Sequence, residues 1–196
     1  MVKKLMVDLK AIIMKEQNLN LLKDTTTNKY IPLALDPFYF LRIAETIVSE
    51  GLPQHDLMRY PSIKTGFGGE IMPQVLVFMY RSVKIFKQDI TIGLIDVISP
   101  VFFFAISLIV YFFLVLKLSK SKSTALLSCL FLSIIPTYLH RTMAGFADHE
   151  SLGMLVFFIV LLAYTISLKI LDKQKYKKNY FIKTIFMGLI VGFFHF

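Results

Sequence analysis

Between Val97 and Leu116 the chain carries no charged side chain, and no other feature restricts its folding so sharply. An α-helix rises about 1.5 Å per residue, so a run of this length covers a hydrocarbon layer about 30 Å thick. Within such a layer every backbone N–H and C=O must be paired inside the segment, which selects a helix. Pro100 lies near the start of the run. There a missing N–H is tolerable, because first-turn donors have no partner within the helix.

The pattern repeats downstream. Ala125 to Leu139 predicts a return across the membrane, Leu152 to Leu168 a third crossing, and Phe181 to Phe196 a fourth that ends with the chain. Lys117, Lys120 and Lys122 follow the first run; Lys169, Lys173, Lys175, Lys177 and Lys178 follow the third. Lysine-rich short loops stay on the cytoplasmic side, which sends the hinge from His140 to Leu152 and the region before Val97 to the outside. Arg81, Lys84 and Lys87 pull against this. They are discounted because Asp89 and Asp96 stand nearer the first span and long segments weigh less than short loops.

Composition agrees with this membrane reading. The 196 residues are 56% hydrophobic with 19 Phe and a mean hydropathy of +0.64, outside the usual range for a soluble domain. The net charge of +9 is bunched in the lysine loops and reads as orientation charge. No polar segment interleaves arginines with stacking aromatics, so no nucleic-acid partner is expected. The single cysteine, Cys129, lies in an apolar run and forms no intrachain disulfide. Overall, the chain is expected to be an all-α, polytopic membrane protein with about four transmembrane helices, plus an external loop with short helices.

Three regions follow. Residues 1–28 are charged, with Leu5, Leu9, Ile12 and Ile13 at helical spacing; they suit an amphipathic surface helix or disorder, and neither a span nor a signal peptide. Residues 29–96 form the first external region. In it, Asp36 before Pro37 reads as an N-cap, and Leu41, Ala44 and Val48 mark a helix ending at Gly51. A Gly- and Pro-rich loop follows, and Met72 to Tyr80 predicts a short helix on or re-entering the membrane surface. Residues 97–196 form the transmembrane region, expected to be incomplete at its C-terminus.

The residues with chemical potential collect at the external face. Asp148 and Glu150 flank His149 in the hinge, HRTMAGFADHESL. Carboxylates are the natural ligands of a hard divalent cation such as Mg²⁺ or Mn²⁺. The competing structural reading is strong: Asp148 caps the helix that follows, with Glu150 in its favourable first turn. Asp36 carries the same ambiguity. Arg141 suits either a phosphate contact or a snorkelling interface residue, and His149 either a softer cation or simple solvation. Arg42 is expected to steady its own helix or to pair with a nearby acid. Arg59, Tyr60, and the pair His55 and Asp56 are too weakly placed to define a site.

The runs LALDPFYFLRIAETIVSEG, MRYPSIKTGFG and RTMAGFADHESLG resemble the catalytic subunit of oligosaccharyltransferase, in its archaeal form. The resemblance covers about residues 29–196, with two motifs in the family's order. It implies that Asp36 and Asp148 are ligands of Mg²⁺ or Mn²⁺ and that Asp36, Asp148 and Glu150 form the catalytic set; His149 falls on the variable middle position of the second motif, and the residues themselves keep Arg141 and His149 as possible substrate contacts. The implied reaction moves a glycan from a lipid-linked phosphate carrier to Asn in N-x-Ser/Thr sequons. Implied partners are the lipid-linked oligosaccharide, a sequon-bearing polypeptide, membrane lipids and a partner membrane chain; the implied location is the cell membrane. The sequence departs from the family in its charged opening stretch and in lacking Trp, so the sequon-reading WWDYG motif is absent. A truncated form, inactive alone, is therefore expected; a noncatalytic membrane scaffold is the alternative.

Overall fold

The computed structural model describes residues 22–51, 55–56, 63–64 and 71–172. Among these, six α-helices account for nearly all regular structure: α1 Leu35–Ser49, α2 Ile71–Lys84, α3 Ile92–Ser119, α4 Lys122–Ile134, α5 Pro136–Arg141 and α6 His149–Asp172. A two-residue antiparallel ladder, β1 His55–Asp56 with β2 Ile63–Lys64, lies in the segment expected to be a loop. Most of the expected helix in residues 1–28, Arg59, Tyr60 and the expected fourth crossing lie outside the described residues. The chain divides into two compact units, residues 1–99 with 144–147, and residues 100–143 with 148–196.

In the first unit, α1 packs against α2. Pro37, Phe40, Leu41 and Ala44 are the buried face of α1, at the three- and four-residue spacing that puts side chains on one side of a helix. Val48, expected to extend that face, is 37% exposed, because it falls in the last turn. The helix ends where Glu50 donates its N–H to the Thr46 carbonyl. Gly51 follows at φ +88°, a left-handed position that glycine occupies without a Cβ penalty. Met72, Pro73, Leu76, Val77 and Tyr80 form the buried face of α2. This helix runs past the expected Tyr80 to take in Arg81 and Lys84, cations favoured beside the negative end of a helix dipole.

One clasp completes the unit. The Gly145 carbonyl accepts from Leu33 N–H at 2.9 Å, and Gly145 N–H donates to the Val97 carbonyl at 2.9 Å. Gly145 has φ +86°, and a Cβ built there would meet Leu33 Cγ at 3.0 Å and Leu22 Cδ1 at 3.3 Å. The position thus requires glycine for both backbone and space.

Helix α3 begins five residues before the uncharged run, at Ile92, with Thr91 Oγ1 accepting from Leu94 N–H at 3.3 Å. Pro100 consequently lies inside the helix and not in its first turn. A residue at this position would normally donate to the Asp96 carbonyl four residues back, and proline cannot. Ser99 Oγ donates to that carbonyl at 3.0 Å instead, so the helix continues without an orphaned acceptor. The Asp96 side chain itself is fully buried, and neither carboxylate oxygen has a hydrogen-bond partner.

In the second unit, Tyr111 of α3 meets Phe158 of α6 with ring centroids 4.9 Å apart, and Phe104 meets Tyr138 of α5 at 5.4 Å. Cys129 Sγ of α4 donates to the Leu108 carbonyl at 3.5 Å. Helices α3 and α6 are long and apolar enough to cross a membrane, and large apolar side chains such as Phe113 and Phe157 stay exposed on them. These two helices suggest membrane association. The expected crossing from Ala125 to Leu139 differs: it is split at Ile135 into α4 and α5. Pro136 drives its predecessor out of the helical region, and Ile135 has ψ 118°. The 13 residues of α4 reach only about 20 Å at helical rise.

Candidate metal centre

The N-terminus of α6 gathers the acidic hinge residues. One ligand atom each from Asp148, His149 and Glu150 lies within 4.8 Å of the others. Asp148 is buried and stands immediately before the helix. Its Oδ1 accepts from the His149 backbone N–H at 2.7 Å and lies 2.6 Å from His149 Nδ1. A capping aspartate would instead accept from the second or third N–H of the helix. Here Ser151 Oγ donates back to the Asp148 carbonyl at 3.1 Å. The carboxylate therefore stays with its neighbour and does not serve as an ordinary cap.

Glu150 occupies the first turn of α6, where the helix dipole favours a carboxylate. Its Oε1 lies 2.8 Å from Arg141 Nη1, whereas its Oε2 is buried with no hydrogen-bond partner. A buried carboxylate oxygen without a donor is costly to leave so, and a cation would satisfy it. The donor chemistry fits: two carboxylates supply hard oxygens, and the adjacent imidazole supplies nitrogen. This cluster could therefore coordinate a metal ion.

Arg141, which the sequence allows as a phosphate contact or a snorkelling residue, pairs with Glu150. Nothing in the spacing announced this pairing, because it depends on the turn between α5 and α6. His149 is mostly exposed, with 73% of its side chain accessible, yet its Nδ1 is engaged by Asp148. Arg42 lies over the ring of Tyr39 at 5.5 Å on the same helix. His55 and Asp56 form β1.

Asp36 belongs to the first unit. The expectation that it caps α1 is overturned: Ala34 is the N-cap residue, in extended backbone, and makes no side-chain cap bond. The helix starts one residue before Asp36 because Pro37, lacking an N–H, can occupy any of the first positions without losing an intrahelical bond. Asp36 stands exposed in that first turn, so its carboxylate is not committed to capping.

Two comparisons give no relative: no curated protein matches the chain, and no solved structure does. The family model described as oligosaccharyl transferase STT3, N-terminal, matches residues 6–196, a stretch that includes Asp36, Arg141 and the whole 148–150 cluster. With that match over nearly its full length, the chain belongs to the STT3 oligosaccharyl transferase family, in its N-terminal portion.

Proposed function

We propose that this chain carries the cation-binding part of a membrane glycosyl transfer site, with Asp148 and Glu150 as carboxylate ligands to Mg²⁺ or Mn²⁺. The observation that carries the reading is the buried, unpartnered Oε2 of Glu150 beside the buried Asp148 carboxylate. Asp36 is a cation ligand in this reading on the strength of the family's first motif alone. The bound cation would supply Lewis-acid positioning of the acceptor amide and neutralise charge at the leaving phosphate. Arg141 pairs with Glu150 through Oε1, and Oε2 would be the atom left for a cation. The same guanidinium is the group on hand for a lipid-linked phosphate, and His149 would contact glycan or acceptor.

The substrates in this reading are a lipid-linked oligosaccharide and an N-x-Ser/Thr polypeptide, with α3 and α6 embedded in the cell membrane in a multi-pass arrangement. The 196 residues contain no Trp, so the Trp-containing sequon-reading motif is not among them. The expected outcome is acid-dependent binding of the cation without turnover by this chain alone.

Mn²⁺ titration of the full chain in nanodiscs, followed by the loss of the free-ion electron paramagnetic signal, tests the proposal. D148N and E150Q should each weaken binding by about tenfold or more, since even outer residues of metal sites contribute on that scale. D36N should weaken it as well. Equal binding by all three variants and the unmodified chain would sink the metal reading and leave a noncatalytic scaffold. Glycan transfer to a sequon peptide by the chain alone would sink the expectation of binding without turnover.

A further inference from the structure

Helix α2 presents a second face that neither packing nor the candidate metal centre explains. Ile71, Phe78 and Ile85 are 64%, 72% and 78% exposed. They are seven residues apart, close to two full helical turns, so they line one side of the helix. The helical path continues past Lys84 because Phe86 and Lys87 both donate their N–H groups to the Val83 carbonyl. Phe86 is 90% exposed. Arg81 and Lys87 are exposed along the same stretch, and the buried residues Met72, Leu76, Val77 and Tyr80 point the other way, against α1. One helix thus buries one apolar stripe in protein and leaves another, edged with cations, outside.

We propose that α2 lies in the interface of a bilayer containing anionic lipid, with Ile71, Phe78, Ile85 and Phe86 in the acyl boundary and Arg81 and Lys87 at headgroup phosphates. Continuity of the chain favours lipid over a protein partner. Lys87 precedes Ile92, the first residue of α3, by five residues, and five extended residues reach about 18 Å at most. A bilayer with its headgroups is about 40–45 Å thick, so the end of α2 cannot leave the neighbourhood where α3 enters. Charge points the same way. Arg81, Lys84 and Lys87 face only Asp89 as an acid in this stretch, and cations near an anionic surface are drawn to it. Large apolar side chains flanked by lysine and arginine are the composition of an interfacial helix.

Because the chain has no native Trp, single substitutions give unambiguous fluorescence reporters. The full chain is reconstituted in phosphatidylcholine vesicles with and without phosphatidylglycerol, carrying F78W, F86W or, as a mid-span reporter in α3, F113W. The expected result is quenching of F78W and F86W by lipids brominated near the headgroup, shielding of both from aqueous acrylamide, and quenching of F113W by lipids brominated deep in the acyl chain. R81Q with K87Q should abolish the extra quenching that phosphatidylglycerol confers on F78W and F86W. Quenching of both by acrylamide and not by lipid overturns the proposal, as does shielding from both, which marks a protein-covered face. Failure of the deep lipid to quench F113W overturns it too, since the tether argument requires α3 in the bilayer.

Discussion

Leu33 N–H donates to the Gly145 carbonyl at 2.9 Å, and each residue stands three positions before an acidic motif residue, Asp36 and Asp148 respectively. Two segments of the first unit far apart in sequence are therefore joined backbone to backbone. The clasp is closed on its other side by Val97. Glycine is required at its centre, because a side chain there meets Leu33 and Leu22 and the backbone is left-handed.

Replacing Gly145 by alanine should cost on the order of 1–3 kcal/mol, from forcing an L residue to positive φ and from the 3.0 Å contact with Leu33 Cγ. Thermal unfolding of the chain in detergent checks this. A G145A variant as heat-resistant as the unmodified chain would show that the clasp is not under this constraint.

Ser99 and Pro100 should be coupled. The S99A change orphans the Asp96 carbonyl that Ser99 Oγ now satisfies, at about 1–2 kcal/mol in a buried setting. In a P100A background the restored N–H can reach the same carbonyl, so S99A should then cost little. A double-mutant cycle on unfolding midpoints measures the coupling; additive effects would show that the hydroxyl does not replace the missing donor.

At the candidate metal centre, Arg141 and an incoming cation share Glu150. The pair is partly exposed, with side chains 45% and 32% accessible, so solvent screening holds its own contribution to about 1 kcal/mol or less. Removing the competing positive charge in R141Q should strengthen Mn²⁺ binding by a few fold, up to about fivefold for 1 kcal/mol. The gain should shrink as salt rises. Weaker binding in R141Q would mean that Arg141 acts mainly by positioning Glu150.

The turn at Asp24 supplies a pH-dependent signal away from the membrane helices. Hydroxyl donation from Thr27, then the backbone N–H and the hydroxyl of Thr26, hold the Asp24 carboxyl down at about 2 against an ordinary 3.8. A depressed value means that the fold favours the ionised form. The turn's contribution is thus complete above about 3.8 and is lost as pH falls through about 2. Carbon-13 titration of the Asp24 carboxyl should give a midpoint near 2, and T27A should move it upward. An unmoved midpoint in T27A would exclude the hydroxyl as the main cause.

Periodicity and charge alone carried much of this architecture. The helix of Leu41 and Ala44, the short helix from Met72, and the long apolar helices through Val97 and Leu152 are legible because their driving force is local: burial of a stripe, or an uncharged run long enough to span. The acidic hinge was legible as well, since carboxylates clustered beside an apolar segment have few chemical uses. Pro136 lay in plain view, yet the apolar run around it outweighed the steric rule that breaks the helix at Ile135.

The remaining features depend on partners distant along the chain or on choices between near-equal local states. Helix starts shift by a residue or two at little cost, and so Ala34, not Asp36, became the cap of α1. The Arg141–Glu150 pair exists because the turn from α5 into α6 folds one helix end back on the next. Gly145 reads in sequence as one more loop glycine; its need for positive φ and for the absence of a Cβ arises only when Leu22, Leu33 and Val97 close around it. Hydrophobic pattern selects which segments are buried, but it is non-directional. Hydrogen bonds and ion pairs, which are directional, take their partners from the folded chain, and they decide what the acidic residues at the mouth of α6 are free to do.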